Sequence, residues 1–383
     1  MNNLLHICSE FGVSSVYSSL CSALHKTSEG LLRQTVYFPS KKPDFSLFEE
    51  YNPESAKILF SPIIKKYHRF FYHSKIKMLA NDIATKADLS MVDLIHAHTL
   101  FTNGGAAFLI KKRLRIPYVV TLRNTDLNLF FKYAIHLRGF GNEILAGAER
   151  VIFLSESYKK RTLSNYVHEN YRDSIAQKSI VIPSGVNPFW LLPYEKPKSL
   201  PDNSPDKIVY AGKLDANKNI SSAILAVQAL LKNGLDIKFI IIGKDTGNHK
   251  QKLKKLIHPS FKERIVFHPH LPKEELKRLF RQCKLFLMPS FRESFGLVYA
   301  EALSQGLPVI YSRNEGFDGL FEEGEVGYSV NPSNINEIGA KITLALQQYP
   351  RLSKNAIAKR SVFNWEKIGS QYLKIYQMPT QAI

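Results

Sequence analysis

The sequence predicts an α/β protein built from two Rossmann-like, doubly wound domains facing a central cleft. Three observations carry that expectation. Short apolar runs alternate with amphipathic stretches along the chain, the pattern of parallel βαβ units. The alternation breaks at Ile182-Pro183-Ser184-Gly185-Val186-Asn187-Pro188 and over a Pro- and Ser-rich stretch at 193–205, then resumes at Ile208. A chain of 383 residues also exceeds what one hydrophobic core usually supports. The domains are therefore expected at residues 1–187 and 188–364.

In the first half, residues 4–8 read as a strand, followed by a Gly12-Val13-Ser14-Ser15 turn and a helix to about Lys26. Further strands are expected at 35–38, 92–95, 118–121 (entered through Pro117), 151–154 and 179–182. The second half repeats the pattern. Strands are expected at 208–211, 239–242, 265–267, 285–288 and 308–310, with helices at 219–232, 273–282, 297–305 and 335–348. In doubly wound sheets, ligands bind at the carboxyl ends of strands.

Composition bounds the function. A hydrophobic content of 44% is ordinary for a soluble globular chain, and no apolar run approaches the ~18 to 20 residues of a membrane span. Glu10 interrupts an N-terminus without a basic leader, so a secretory signal is not expected. Cys8, Cys21 and Cys283 are odd in number, far apart and set among apolar residues. They read as reduced core thiols of a cytoplasmic protein. The formal charge of +19 points to an anionic partner: phosphorylated substrate, acidic membrane surface or nucleic acid. Zinc spacing, a helix-turn-helix signature and an aromatic RNA platform are all absent from the sequence, so a specific nucleic-acid partner is not expected.

The most informative stretch is Pro289-Ser290-Phe291-Arg292-Glu293-Ser294-Phe295-Gly296-Leu297-Val298-Tyr299-Ala300-Glu301-Ala302. It follows a strand and opens a helix. Gly296 allows close approach to the backbone, and the N–H groups of Phe295, Gly296 and Leu297 sit at the positive helix end, an anion site. Glu293 and Glu301 could flank a diphosphate and accept hydrogen bonds from hydroxyls. A second piece, Gly212-Lys213-Leu214-Asp215-Ala216-Asn217-Lys218, puts Lys213 at a strand end and Lys218 before the next helix. Hydrogen bonds from such cations would strengthen as a leaving diphosphate gains charge. There is no Asp-x-Asp pair and no His/Asp cluster at ligand spacing, so the lysines and helix end are expected to replace a divalent metal: no metal, no cofactor.

These motifs resemble the retaining glycosyltransferases of the GT-B fold, family four. The Glu, seven residues, Glu pattern is intact as Glu293 to Glu301, with Phe-Gly-Leu inside it. Gly212, Lys213 and Lys218 match the family's Gly-Arg/Lys-Leu…Lys motif. Ile240-Ile241-Ile242-Gly243-Lys244-Asp245-Thr246-Gly247 looks like its Ile-Val-Gly-x-Gly segment, with Asp245 as a departure. The resemblance implies a nucleotide-sugar donor held by the second domain, with Lys213 and Lys218 on the diphosphate. It puts Ser294, Phe295, Gly296 and Leu297 around phosphate, Glu301 on ribose and Glu293 on the transferred sugar. The base would lie near Gly243, His270 and Leu271. It implies transfer of a sugar, hexosyl in the first instance, with retention and without metal, to a glycan or lipid-linked saccharide acceptor in surface polysaccharide or lipopolysaccharide synthesis. The catalytic set would be Glu293, Lys218, Lys213 and His98, the last within His96-Ala97-His98. The acceptor domain would offer Gly12, Arg123, Asn124 and Asp126, with Arg123 standing where the family has histidine. A C-terminal helix at about 365–383 would cross back to the first domain.

Blander readings stand beside these. Glu293 and Glu301 could be helix-end charges, and the lysines could be solvated. His98 could be a hydrogen-bonded core histidine, Arg123 and Asp126 a structural ion pair, Gly12 only a tight turn. An epimerase or phosphorylase on the same fold is an alternative chemistry. Residues 63–79 mix aromatic and basic positions at near-helical spacing, suggesting an amphipathic helix on an anionic membrane.

Overall fold

The computed structural model describes residues 3–12, 14–40, 54–193, 204–245 and 247–377. Two compact units divide the chain: Met1–Gly185 with Phe363–Ile383, and Val186–Val362. Most of the 193–205 stretch, and positions 378–383 of the C-terminal helix expectation, lie outside the described residues.

The first unit holds seven parallel strands: β1 (Asn3–Ile7), β2 (Arg33–Pro39), β3 (Lys57–Ser61), β4 (Leu94–Ala97), β5 (Tyr118–Thr121), β6 (Arg150–Phe153) and β7 (Ser179–Val181). Their order is β3-β2-β1-β4-β5-β6-β7. Every residue of β4 and β5 is buried, as expected for strands covered by helices on both faces. The order reverses between β1 and β4, so the crevice outside their carboxyl ends is where a doubly wound sheet takes ligand.

The helix Ser15–Thr27 packs against the helix Trp365–Gln377 through Leu20, Leu24, Ile368 and Tyr372. Gly369 permits that approach: a Cβ there would sit 3.0 Å from Thr27 Oγ1. The Trp365 indole covers Gly185, where a Cβ would lie 2.5 Å from the ring.

Three expectations are corrected. The strand expected at 92–95 runs over Leu94–Ala97, because His96 reads as polar but is buried on hydrogen bonds to Thr121 and Tyr376. Strand β3 was not expected at all. The single helix expected over 63–79 is a short turn, Lys66–Arg69, and then a helix Tyr72–Lys86. The apolar stripe that decides the helix is Ile76, Leu79, Ala80 and Ile83, at positions that stack on one face. Tyr67, Phe70 and Phe71 stay exposed at its start.

The second unit holds six parallel strands: β8 (Asp206–Ala211), β9 (Ile237–Ile242), β10 (Ile265–His268), β11 (Leu285–Leu287), β12 (Val309–Ser312) and β13 (Gly327–Val330). Their order, β10-β9-β8-β11-β12-β13, reverses between β8 and β11. Among the described residues no helix is long and apolar enough to cross a membrane. Cys8, Cys21 and Cys283 are buried free thiols, and burial pushes Cys21 and Cys283 up to about 12.

Candidate active site

The loops after β8 and β11, the two strands flanking the reversal, carry both lysines and the Glu293 to Glu301 stretch. Two hydrogen bonds tie them together: Phe291 N–H donates to Asn217 C=O at 2.8 Å, and the Asn217 side-chain amide donates to Arg292 C=O at 2.8 Å. Asp215 caps the turn Ala216–Lys218 by accepting from Lys218 N–H at 3.0 Å. Asn219 follows in the left-handed region (φ 51°), and its amide donates to Pro289 C=O and Pro332 C=O. This places the Lys218 ammonium 2.5 Å from Glu293 Oε2, both side chains mostly buried. The sequence reading gave these residues separate tasks; the structure pairs them. Lys213 lies exposed just past β8, its carbonyl accepting from Tyr210 OH at 2.6 Å.

Glu293 is anchored from a loop that the sequence reading missed. Its N–H donates to Glu315 Oε2 at 2.8 Å, and its C=O accepts from Gly316 N–H at 3.0 Å. A Cβ on Gly316 would meet Ser294 C=O at 1.9 Å. The available signal was Asn314-Glu315-Gly316 directly after β12, a strand-end turn with Asn314 at φ 63°.

Gly296 opens the helix Leu297–Ser304 at φ 78°, where a Cβ would overlap the Tyr299 ring at 2.3 Å. The first-turn N–H groups of a helix have no intrahelical acceptor, so they and the macrodipole favour an anion there. Ser294 and Leu297 are half-buried and Phe295 is buried. Glu301 lies in the second turn. Burial pushes its carboxyl up to about 7, with the Lys273 ammonium opposing.

Gly243 follows β9, where a Cβ would lie 1.8 Å from Gly212 C=O. Its N–H donates to His268 C=O at 3.4 Å, bringing the β10 end alongside, and His270 (exposed) and Leu271 (half-buried) follow on that loop. Asp245 accepts from Gly247, His249 and Lys250 N–H groups, which accounts for its departure from the resembled segment: it caps the next helix. Thr246 lies outside the described residues.

In the first unit three histidines that have no ligand spacing in the sequence meet in space. His6 on β1 is in register with His96 on β4, and His6, His96 and His98 have ligand atoms within 4.8 Å of one another. A single-sequence spacing rule cannot see ligands on two paired strands. Protein partners occupy five of the six ring nitrogens. His6 Nδ1 meets His98 Nε2 at 3.0 Å, His6 Nε2 meets Gln34, and His96 meets Thr121 and Tyr376. Burial lowers all three rings, His6 to about 4. His98, expected in the catalytic set, is thus a buried core histidine with one nitrogen, Nδ1, unpartnered among the described residues.

Asp126, expected on the acceptor, is placed inside the first unit. It is buried, and its oxygens accept from Leu100, Phe101 and Arg123 N–H groups at 3.0, 3.2 and 2.9 Å. It therefore locks the loop, and among the described residues it is not hydrogen-bonded to the Arg123 guanidinium. Burial pushes it up to about 6 against those three donors. Asn124 Oδ1 accepts from Asn128, and Gly12 makes room for the Phe38 ring, which a Cβ would meet at 2.7 Å.

Residues 12–188 match the family described as Glycosyltransferase Family 4, and residues 193–361 match Glycosyl transferases group 1. A probable sucrose-phosphate synthase of Thermosipho melanesiensis is 25% identical over 96% of this chain and 91% of its own. A glycosyltransferase of Rickettsia africae superposes with a TM-score of 0.74 at 16% identity, covering 98% of each chain. An Anabaena protein solved in complex with UDP superposes with a TM-score of 0.71 at 17% identity, covering 98% of this chain and 99% of that one.

Proposed function

Since this chain belongs to the group 1 glycosyl transferases, with a family 4 first half and the GT-B fold, and is thereby a glycosyltransferase, we propose the following reaction. It moves a hexosyl group from a nucleotide-diphosphate sugar to a saccharide acceptor, with retention and without a divalent metal. The observation that carries this reading is the Lys218–Glu293 pair beside the Gly296 helix start, at the reversal of the second sheet.

The donor diphosphate would lie on the N–H groups at Gly296 and Leu297, with Lys218 and Lys213 as counter-charges. As the bond from sugar C1 to the phosphate oxygen breaks, charge grows on the leaving diphosphate. Fixed cations and helix amides stabilise that charge more than the ground state, so they lower the barrier. The acceptor hydroxyl attacks C1 from the same face, and its proton passes to the departing phosphate oxygen. The products are the retained glycoside and a nucleoside diphosphate, and no nucleophile on the protein is consumed. Glu293, held from behind by Glu315, would turn from Lys218 to the sugar hydroxyls.

A thermal-shift series with UDP, GDP, ADP and their glucose conjugates tests the reading; the UDP bound by the Anabaena neighbour makes uridine the first base to try. One base series should raise the melting temperature. Failure of every nucleotide to do so at saturation would end the proposal.

Glu301 adds a pH signature. Its carboxylate form would accept hydrogen bonds from the ribose hydroxyls. Affinity for UDP-glucose, whose diphosphate does not titrate near neutrality, should therefore rise as pH passes upward through about 7. Folding has the opposite dependence. The folded state holds the Glu301 proton more tightly than the unfolded chain, so stability falls as pH rises from about 4.5 to about 7. Without nucleotide, Glu301→Gln should raise stability at pH 8 by on the order of 2–3 kcal/mol, with little change at pH 4.5. It should also flatten the pH dependence of UDP-glucose binding. Calorimetry at the two pH values checks the sign; a destabilised Gln variant at pH 8 would refute it.

The acceptor is proposed to be a glycan or lipid-linked saccharide of surface polysaccharide or lipopolysaccharide type, met at an anionic membrane surface. Exposed Tyr67, Phe70 and Phe71 beside Lys65 and Lys66 support such contact: aromatics insert while ammoniums meet anionic headgroups. Flotation with phosphatidylglycerol vesicles should carry the protein upward at low salt, and Phe70→Ser with Phe71→Ser should leave it at the bottom.

A further inference from the structure

We propose that the lysines of the helix His249–Lys255, together with Lys244 just before it, form an electrostatic funnel that draws the anionic nucleotide sugar to the diphosphate site of the second unit. The inference rests on the donor site proposed above. It gives a surface outside that site a task of its own, the speed of donor capture.

The charge of this segment is one-sided. Residues 244–262 carry six lysines against a single acid, Asp245. Asp245 is spent on the chain itself, accepting from the Gly247, His249 and Lys250 N–H groups. Lys244, Lys252, Lys254 and Lys255 are exposed and Lys250 is half-buried. Among the described residues none of these five is ion-paired, whereas Lys284, Lys341 and Lys359 of the same unit each meet a carboxylate. Local structure does not ask for such a run. The helix buries only Leu253. Lys250 and Lys254 are four apart and Lys252 and Lys255 three apart, so like charges stack on one face and weaken the helix. The helix dipole favours cations in the last turn, yet it disfavours Lys250 in the first and gives no reason for Lys244.

The position explains the charge better. Asp245 forms a parallel bridge with Leu214, and Leu214 N–H donates to Lys244 C=O at 3.0 Å. The basic segment therefore starts beside Lys213, one of the two proposed counter-charges of the diphosphate. Neighbouring strands lie about 5 Å apart and seven helical residues span about 10 Å, which sets these ammoniums roughly 5–15 Å from that loop. The screening length is about 10–20 Å at about 20–100 mM salt, so the field of the segment reaches the loop. Lys250 Nζ also lies 6.0 Å from the centre of the Phe267 ring on β10, the strand that leads to His270 and Leu271. The positive surface thus borders both the diphosphate loop and the base loop. A patch of one sign beside a cleft raises the local concentration of oppositely charged ligand and its association rate, and salt removes the effect.

Stopped-flow association of methylanthraniloyl-UDP with the full-length protein tests this, at about 20 mM and about 500 mM sodium chloride. The proteins are the wild type and three triple variants at Lys252, Lys254 and Lys255, changed to Gln, to Glu or to Arg. At low salt the Gln variant should associate about three- to tenfold more slowly. The Glu variant should be slower still and the Arg variant should match the wild type. At high salt all four should agree within about twofold. Dissociation rates should be the same throughout, because these side chains are outside the contact. A merely structural role would lower the melting temperature without ordering the association rates by charge. Equal association rates for wild type and Gln variant at low salt would overturn the proposal, as would a loss confined to dissociation or one that persists at high salt. Flotation on phosphatidylglycerol vesicles that disappears in the Gln variant, with UDP rates unchanged, would give the surface to the bilayer instead. UDP binding at one rate in all four proteins removes the funnel and leaves the donor site standing; failure of every nucleotide to bind the wild type removes both.

Discussion

Lys218→Ala is expected to lower kcat/KM by about 10²–10³, the usual effect of removing one preorganised group that meets developing charge. Most of the loss should appear in kcat, because the ammonium gains more from the leaving diphosphate than from the bound donor. The residue is placed for this by its own loop: Asp215 caps the turn that carries it, and Asn219 pins the next residue to the loop after β11. Removing it also takes the ammonium away from Glu293 in a mostly buried pair, so some loss of thermal stability should accompany the kinetic defect. Lys218→Arg keeps the charge and should recover part of the rate. Steady-state kinetics with the nucleotide sugar chosen by the thermal-shift series will decide. An alanine variant within threefold of wild type would remove Lys218 from the mechanism.

Gly243→Ala should be among the most disruptive single methyls in the second unit. The added Cβ would fall 1.8 Å from Gly212 C=O, a backbone atom held by the ladder bonds Gly212 N–H to Ile242 C=O and Leu214 N–H to Lys244 C=O, both 3.0 Å. Neither strand end can yield without breaking those bonds, and overpacking of this kind costs about 1–3 kcal/mol or more. For a unit of this size that is a fall in melting temperature of roughly 5–10 °C. Lys213 adjoins Gly212, so UDP-dependent stabilisation should shrink as well. Wild-type melting together with a full UDP shift would show that the close approach of β8 and β9 does not position the donor site.

What could be read from the sequence follows from where the information sits. The second unit's site was legible because most of it is contiguous: one strand, a Gly296 turn and one helix carry Glu293 to Glu301. The residues that hold it were not legible. Glu315 and Gly316 come from another strand end and meet Glu293 only once β12 lies beside β11. In the first unit the strands showed as apolar runs, but His6, His96 and His98 meet through strand register, and Asp126 accepts from peptide groups of its own loop and of the loop after β4. Residues 63–79 misled because aromatic side chains count as apolar wherever they point, and Phe70 and Phe71 are exposed while the helix begins after them.

The first unit is interrupted in sequence: Val186–Val362 forms the second unit before Phe363 returns the chain to the first. A ribosome therefore completes the whole second unit before it has made Trp365. Until then Leu20, Leu24 and Ile182 lack the helix that buries them, and His96 lacks the Tyr376 hydroxyl. The half that is synthesised first is the half that matures last, and a chain stopped short of residue 363 would carry an open apolar groove on its oldest segment.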